Sequence, residues 1–259
     1  MLESSAAQSP NSESTVALFV TCLADLFRPA VAKATLELLE ASGFAVDVPL
    51  QQTCCGQPQY NSGDYESARQ IARQTIALLE PYDAIVIPSG SCSGMLVEHY
   101  PKLLDGQWKD RATALSGKVF ELTQFLATHG DYRSTKESRE PVAYHDSCAG
   151  LRELGIRDEP RDLLEEAGVE VRELDQRDVC CGFGGTFCAK MPDISAKMSD
   201  DKLESVRRSG ATTVVGGDLG CLLALAGRAR REGSDLRFFH VAEALAGKAV
   251  GPGIGEDER

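Results

Sequence analysis

The sequence predicts two tandem α/β units, each built on a parallel, doubly wound sheet, and three observations carry the prediction. The chain repeats itself: Cys22, Cys54 and Cys55 recur at an offset of 126 as Cys148, Cys180 and Cys181, and both doublets are followed by glycine, Gly56 and Gly182. Cys92 and Cys221 follow at an offset of 129, so the second copy carries a small insertion after its doublet. Such self-similarity marks an internal duplication. Within each copy, short apolar runs alternate with stretches of helical periodicity, the pattern of βαβ units and a parallel sheet. The segments flanking the cysteines repeat as well.

Taken in order, Val16-Ala17-Leu18-Phe19-Val20-Thr21-Cys22 reads as a strand ending in a hydroxyl residue and a thiol, matched by Val142-Ala143-Tyr144-His145-Asp146-Ser147-Cys148. Pro29 opens a helix and Gly43 stops it, as Gly168 stops its counterpart. A second strand leads into the Cys-Cys-Gly loop. Tyr65 to Leu79 places apolar residues at helical spacing, with Pro81 just past the end. Ala84 to Ile87 and Thr212 to Val215 are short apolar runs of buried-strand type. Cys92 and Cys221 follow them, and each copy closes with a strand entering a helix, Lys118 to Ala127 and Arg237 to Ala246. The polar stretch Gly130 to Glu140 reads as a linker. The domains expected are therefore 15–130 and 140–248, with 1–14 and 249–259 as flexible tails.

The bulk numbers narrow the function classes. Of 259 residues, 42% are hydrophobic and 25% charged, which is ordinary for a globular protein. No apolar stretch approaches the roughly 20 residues of a transmembrane helix. Met1 to Ser14 is polar, without the basic and apolar regions of a signal peptide. A net charge of −12 argues against nucleic acid as a partner. Nine cysteines without an export signal point to metal binding or catalysis rather than a disulfide framework.

In a parallel sheet the carboxyl ends of the strands share one edge, where ligands of open α/β sheets bind. Cys22 and Cys148 end first strands, the doublets follow second strands, and Cys92 and Cys221 follow third strands, so four thiols per copy are expected to converge. A four-thiolate set suits an iron–sulfur cluster or zinc. Structural zinc sites usually draw on short CxxC knuckles, which this chain lacks, and adjacent cysteines suit a centre with several irons. Cys188 has Ser62 at its repeat position and reads as a bystander or an accessory ligand.

These residues resemble the cysteine-rich CCG domain, which occurs twice in one of the subunits of heterodisulfide reductase and in the iron–sulfur subunits of glycolate and glycerol-3-phosphate oxidation. Over residues 15 to 248 the chain is similar to the lactate utilization protein A family. The resemblance rests on Thr21-Cys22, Cys54-Cys55-Gly56-Gln57-Pro58, Pro88-Ser89-Gly90-Ser91-Cys92, His145-Asp146-Ser147-Cys148 and Cys180-Cys181-Gly182-Phe183-Gly184-Gly185. It implies tandem Rossmann-like domains in a cytoplasmic electron-transfer subunit of a complex oxidising L-lactate to pyruvate. A ferredoxin-like iron–sulfur protein and a third small subunit would be its partners. It also implies one 4Fe–4S cluster per repeat, held by Cys22, Cys54, Cys55 and Cys92 and by Cys148, Cys180, Cys181 and Cys221. In the heterodisulfide reductase pattern the last motif is CxxC. Here Ser89 and Asp218 stand at its first position, leaving four thiols per site and two oxygen groups as accessory ligands.

Other residues are candidates beside these. The glycine runs at Gly182 and Gly216 lack the full dinucleotide fingerprint and are better read as shaping the cysteine loops. His145 is a candidate catalytic or proton-relaying residue, against the plainer reading of a hydrogen-bonded strand end. His99, His129 and His240 read as surface or packing residues, Asp146 as a helix cap, and Arg152 and Arg157 as a charged helix face or an anchor for a carboxylate. Two alternative functions stand beside electron transfer: a thiol–disulfide or heterodisulfide reductase acting through Cys180 and Cys181, and a zinc-stabilised scaffold.

Overall fold

The computed structural model describes residues 15–132 and 140–256. The expected tail 1–14 and most of the expected linker lie outside the described residues.

Each copy forms a four-stranded, wholly parallel sheet. In the first, β1 (Thr15–Leu18), β2 (Ala45–Asp47), β3 (Ala84–Ile87) and β4 (Val119–Glu121) stand in the order β2-β1-β3-β4. In the second, β5 (Val142–His145), β6 (Val171–Arg172), β7 (Thr213–Gly216) and β8 (Arg237–His240) repeat that order as β6-β5-β7-β8. The chain leaves the first strand toward one edge and returns past it to the third, so helices cover both faces. Helices on both faces explain why β3 and β7 are buried along their whole length and read as continuous apolar runs.

The first copy carries α1 (Cys22–Phe27), α2 (Pro29–Ala41), α3 (Gln57–Ser62), α4 (Tyr65–Leu79), α5 (Gly90–Gly94), α6 (Tyr100–Leu103), α7 (Gln107–Ser116) and α8 (Leu122–His129), with a π-helical turn at Met95–His99. The second carries α9 (Cys148–Arg152), α10 (Glu159–Glu166), α11 (Phe187–Lys190), α12 (Pro192–Ser209), α13 (Leu219–Arg231) and α14 (Val241–Leu245). The boundaries of α4 match the sequence expectation. Asp64 caps it by accepting from Ser67 N at 3.2 Å, and Ala68, Ala72, Ile76 and Leu79 form its buried stripe.

Three apolar clusters sort the layers. Outside the first sheet, Ala17, Ile85 and Ile87 meet the buried stripe of α4. Outside the second, Ala143 and Val214 meet Leu203 and Val206 of α12 and Leu222 and Leu225 of α13. The third lies between the sheets, where Leu38, Leu39, Phe125 and Leu126 of the first copy interleave with Leu163, Leu164, Val241 and Leu245 of the second. The two copies therefore share a core.

Two expectations need correction. The sequence pattern starts the first helix at Pro29, whereas Cys22 already begins a short helix of its own. Residues 249–256 were expected as part of a flexible tail, but they fold back on the second copy. Ile254 is 4% exposed in the outer core, its N–H donates to Phe238 O at 2.8 Å, and Arg28 donates to Pro252 O at 3.0 Å. Burying one isoleucine contributes roughly 2 kcal/mol toward holding the segment, beside its hydrogen bonds.

Candidate metal centres

At the carboxyl edge of each sheet a strand passes into a helix whose first turn bears a cysteine. Thr21 caps α1 by accepting from Ala24 N (3.4 Å), and Cys22 is its first residue. Ser147 likewise caps α9 through Gly150 N (3.2 Å), ahead of Cys148. Ser89 accepts from Cys92 N (3.3 Å) at the start of α5, and Asp218 accepts from Gly220 N (3.2 Å) ahead of Cys221 in α13. A cysteine in the first turn of a helix lies at the end that carries partial positive charge, which favours its thiolate.

The doublets close each quartet. Gly56 and Gly182 take φ of +83° and +90°, a left-handed turn open to glycine. That turn lets Gly56 N donate to Cys54 Sγ and Gly182 N to Cys180 Sγ, both at 3.4 Å, while Phe183 N donates to Cys181 Sγ at 3.5 Å. Cys22 Sγ and Cys54 Sγ stand 3.7 Å apart, and Cys55 Sγ and Cys92 Sγ 3.3 Å. In the second copy Cys148 pairs with Cys180, and Cys181 with Cys221. In both quartets the second doublet cysteine and the third-strand cysteine are buried, while the other two face outward. Cys22 is exposed and Cys148 only half-buried.

Hydrogen bonding sorts the protons. The Cys22 and Cys55 thiols donate to Cys54, which with the Gly56 amide holds Cys54 down to about 3. Cys22 and Cys55 are pushed up because each keeps its proton for Cys54. Cys180 is held down to about 2 by Cys148, Cys181 and the Gly182 amide. Each site thus has four convergent sulfurs, with amide donors behind the doublets. That donor set fits an iron–sulfur cluster or another thiophilic metal.

The two expected oxygen ligands are engaged with each other. Ser89 Oγ donates to Asp218 Oδ2 at 3.2 Å and Ser91 N donates to the same oxygen at 2.9 Å, while Oδ1 caps α13. Beside them Gly90 N donates to Gly217 O at 3.2 Å, so this seam joins the two copies. Both Asp218 oxygens thus already accept hydrogen bonds. Cys188, half-buried in α11 just past the glycine-rich loop, donates to Gly185 O at 3.3 Å.

The remaining candidates fall as follows. His145 is 1% exposed, and neither ring nitrogen has a hydrogen-bond partner. A nitrogen of its ring and the sulfurs of Cys181 and Cys221 all lie within 4.8 Å of one another. Burial holds its basicity down to about 3, so the ring is neutral. An orphaned buried polar group of this kind costs about 1–3 kcal/mol. Asp146 does not cap α9; Ser147 does, and Asp146 is held by both terminal nitrogens of Arg161 at 2.9 and 2.8 Å. Arg152 donates to Asp178 O. His240 is buried and caps α14 in a reciprocal pair with Glu243. His99 lies 3.4 Å from Glu153 of the other copy.

Sequence reasoning missed Lys202. It is fully buried, and its Nζ donates to Gln176 O (2.6 Å) and Arg177 O (3.3 Å), fastening the loop that leads into Cys180. A lysine on a polar helix reads as surface, and no local signal marks it otherwise.

A family model described as cysteine-rich domain matches residues 16–97 and again 142–226. Lactate utilization protein A 2 of Bacillus cereus strain AH820 is 42% identical over 237 residues, covering 89% of this chain and 97% of that protein. Lactate utilization protein A of Halalkalibacterium halodurans is 43% identical over 233 residues, with 89% and 96% covered. Among solved structures, a hypothetical protein from Helicobacter pylori superposes with a TM-score of 0.62 at 11% identity. That match spans 98% of this chain and 52% of the other, and shows the fold alone.

Proposed function

Since the chain belongs to the lactate utilization protein A family, with two cysteine-rich domains, we propose that it is an iron–sulfur electron-transfer subunit of a system oxidising L-lactate to pyruvate. The observation that carries this reading is the convergence of eight cysteines in two matching quartets, each at the carboxyl edge of a parallel sheet. Cys22, Cys54, Cys55 and Cys92 hold one cluster, and Cys148, Cys180, Cys181 and Cys221 hold the other. Bound there, each 4Fe–4S cluster supplies a site that takes up and releases one electron.

The protein's own residues set the conditions. Amides of Gly56, Gly182 and Phe183 point at sulfur and stabilise negative charge. Buried Cys55, Cys92, Cys181 and Cys221 keep the inner side of each centre dry. The outward thiols, Cys22 above all, offer the edge at which a partner's redox centre approaches. Oxidation of a hydroxy acid to its keto acid releases two electrons and two protons, so two one-electron centres match the electron count. Removal of the proton and hydride equivalent is assigned to a partner. A ferredoxin-like protein and a third small subunit are the partners proposed. Among the described residues no helix is long and apolar enough to cross a membrane.

The test is iron and acid-labile sulfide per chain after anaerobic expression and purification, with EPR of the reduced state. About eight irons per chain, falling by half in Cys54→Ser or Cys180→Ser, is the expected result. A zinc scaffold is the second reading. The sulfur separations of 3.7 and 3.3 Å approach the roughly 3.8 Å of two thiolates on one tetrahedral ion with ~2.3 Å bonds. Stoichiometric zinc without sulfide would replace the iron–sulfur reading by that one.

A further inference from the structure

The two centres share a cysteine frame but differ where the first and third strands end. At the repeat positions of Phe19 and Ile87, the second copy has His145 and Gly216. In the first copy Phe19 and Ile87 are fully buried in one apolar cluster with Cys55 and Cys92. In the second copy His145 and Gly216 are register partners across β5 and β7. A Cβ at Gly216 would stand 3.0 Å from His145 O and 3.6 Å from His145 Cβ, so the glycine leaves room at this strand end.

The imidazole in that space has an unusual environment. It is 1% exposed, neither nitrogen has a hydrogen-bond partner, and one nitrogen lies within 4.8 Å of both Cys181 Sγ and Cys221 Sγ. A purely structural strand-end histidine would bond at least one nitrogen to the backbone or a side chain. Two donors on one metal, with bonds of roughly 2.0 Å to nitrogen and 2.3 Å to sulfur, stand about 3.5 Å apart.

Resting on the metal-centre reading above, we infer that His145 is a fifth donor of the second centre, its imidazole nitrogen bound to the metal beside Cys181 and Cys221. The first centre is then held by thiolates alone, and the second by thiolates and one neutral nitrogen. Imidazole suits iron and zinc alike. The duplicated chain therefore carries two chemically different centres.

The experiment uses the full chain with Cys54→Ser, reconstituted anaerobically with iron and sulfide so that the second centre dominates the EPR signal, and labelled with 15N-histidine. Pulsed EPR of the reduced protein reads nitrogen coupled to the iron spin. The expected result is a directly bonded nitrogen coupling that changes with the 15N label and is lost in His145→Phe, which restores the first copy's residue. The isotope comparison needs no substitution at 145, so it holds even if His145→Phe fails to fold. A cluster that assembles and shows no histidine nitrogen coupling overturns the inference. If iron and sulfide do not assemble, the iron–sulfur reading fails, and Co2+ titrated into the same labelled chain decides the donor separately. A paramagnetically shifted histidine ring resonance supports ligation, and its absence with Co2+ bound refutes it.

Discussion

Gly56 and Gly182 occupy the same place in the two copies, yet replacing each by alanine should have unequal consequences. Both adopt positive φ, so either alanine incurs the left-handed penalty of about 1–2 kcal/mol. The surroundings differ. A Cβ on Gly56 would meet Ile71 Cγ2 at 3.3 Å and Ile71 Cβ at 3.5 Å, contacts that a shift of the side chain by a few tenths of an ångström relieves. A Cβ on Gly182 would stand 2.6 Å from Ser195 O and 3.0 Å from Met198 Cβ, both on α12. That helix cannot easily retreat, because Ser195 Oγ donates to Gly182 O (2.9 Å) and Ser199 Oγ to Cys181 O (2.8 Å). Forcing a methyl group into a close-packed site adds about 1–3 kcal/mol. Gly182→Ala should therefore cost about 2–5 kcal/mol and Gly56→Ala about 1–2 kcal/mol. Anaerobic urea unfolding of the metal-free chain measures both, and metal content should fall further at the second centre in Gly182→Ala. Equal losses, or a larger loss for Gly56→Ala, would refute the reasoning.

Three further outcomes follow from buried polar groups. Glu121 caps α8, and burial raises its carboxyl from 4.5 to about 7. The folded state thus holds a proton that the unfolded state releases, so this contribution is complete below pH 4.5 and is lost as pH rises through 7. The difference in stability between wild type and Glu121→Gln should shift by about 3 kcal/mol in the variant's favour between pH 4.5 and 8, and a flat difference would disprove the assignment. Lys202→Met leaves Gln176 O and Arg177 O without their donor; a loss of about 1–3 kcal/mol is expected, with faster metal release from the second centre than the first. Asp218→Asn should lower stability by weakening the seam to Ser89 and Ser91 while iron per chain stays unchanged. A loss of iron there would refute this expectation.

What the sequence makes legible is what local pattern encodes. The stripe of α4 recurs at three and four residues, and Asp64 and Pro81 bracket it, so its limits can be read directly. The quartets are legible because duplication writes them twice, and a parallel sheet gathers strand ends at one edge. The helix α1 is hidden because six residues between a strand and Pro29 show no period. The segment at 249–256 is hidden because Gly, Pro and acidic residues surround the single Ile254 that anchors it. Asp146 and Ser147 are both capping residue types. Ser147 takes the role because Arg161, 15 residues on from Asp146, claims the aspartate, and no local rule announces that pairing. His145 carried a signal in the repeat itself, the exchange of Phe19 and Ile87 for histidine and glycine, which is visible only when the copies are compared position by position.

The duplication did not yield two separate domains on a string. The core between the sheets is made from both copies, and α5 packs against α9 so closely that a Cβ on Gly90 would stand 2.6 Å from Ser147 Oγ and 3.0 Å from Gly150 N. Those two helices carry Cys92 and Cys148, one from each quartet. Apolar residues of α1, Leu23 and Ala24, pack in the same cluster as Cys181 and Cys221, so the first copy also covers the second centre. A change at the Ser89–Asp218 seam therefore bears on helices that position thiols on both sides. Fusing the copies through the elements that hold the sulfurs ties the two centres into one rigid frame. Their surroundings have diverged within it, with Phe19 at one centre and His145 at the other. Because the cysteine sets are the same, a difference in redox behaviour between the centres arises from residues other than the cysteines, Phe19, His145 and the Phe183 amide among them.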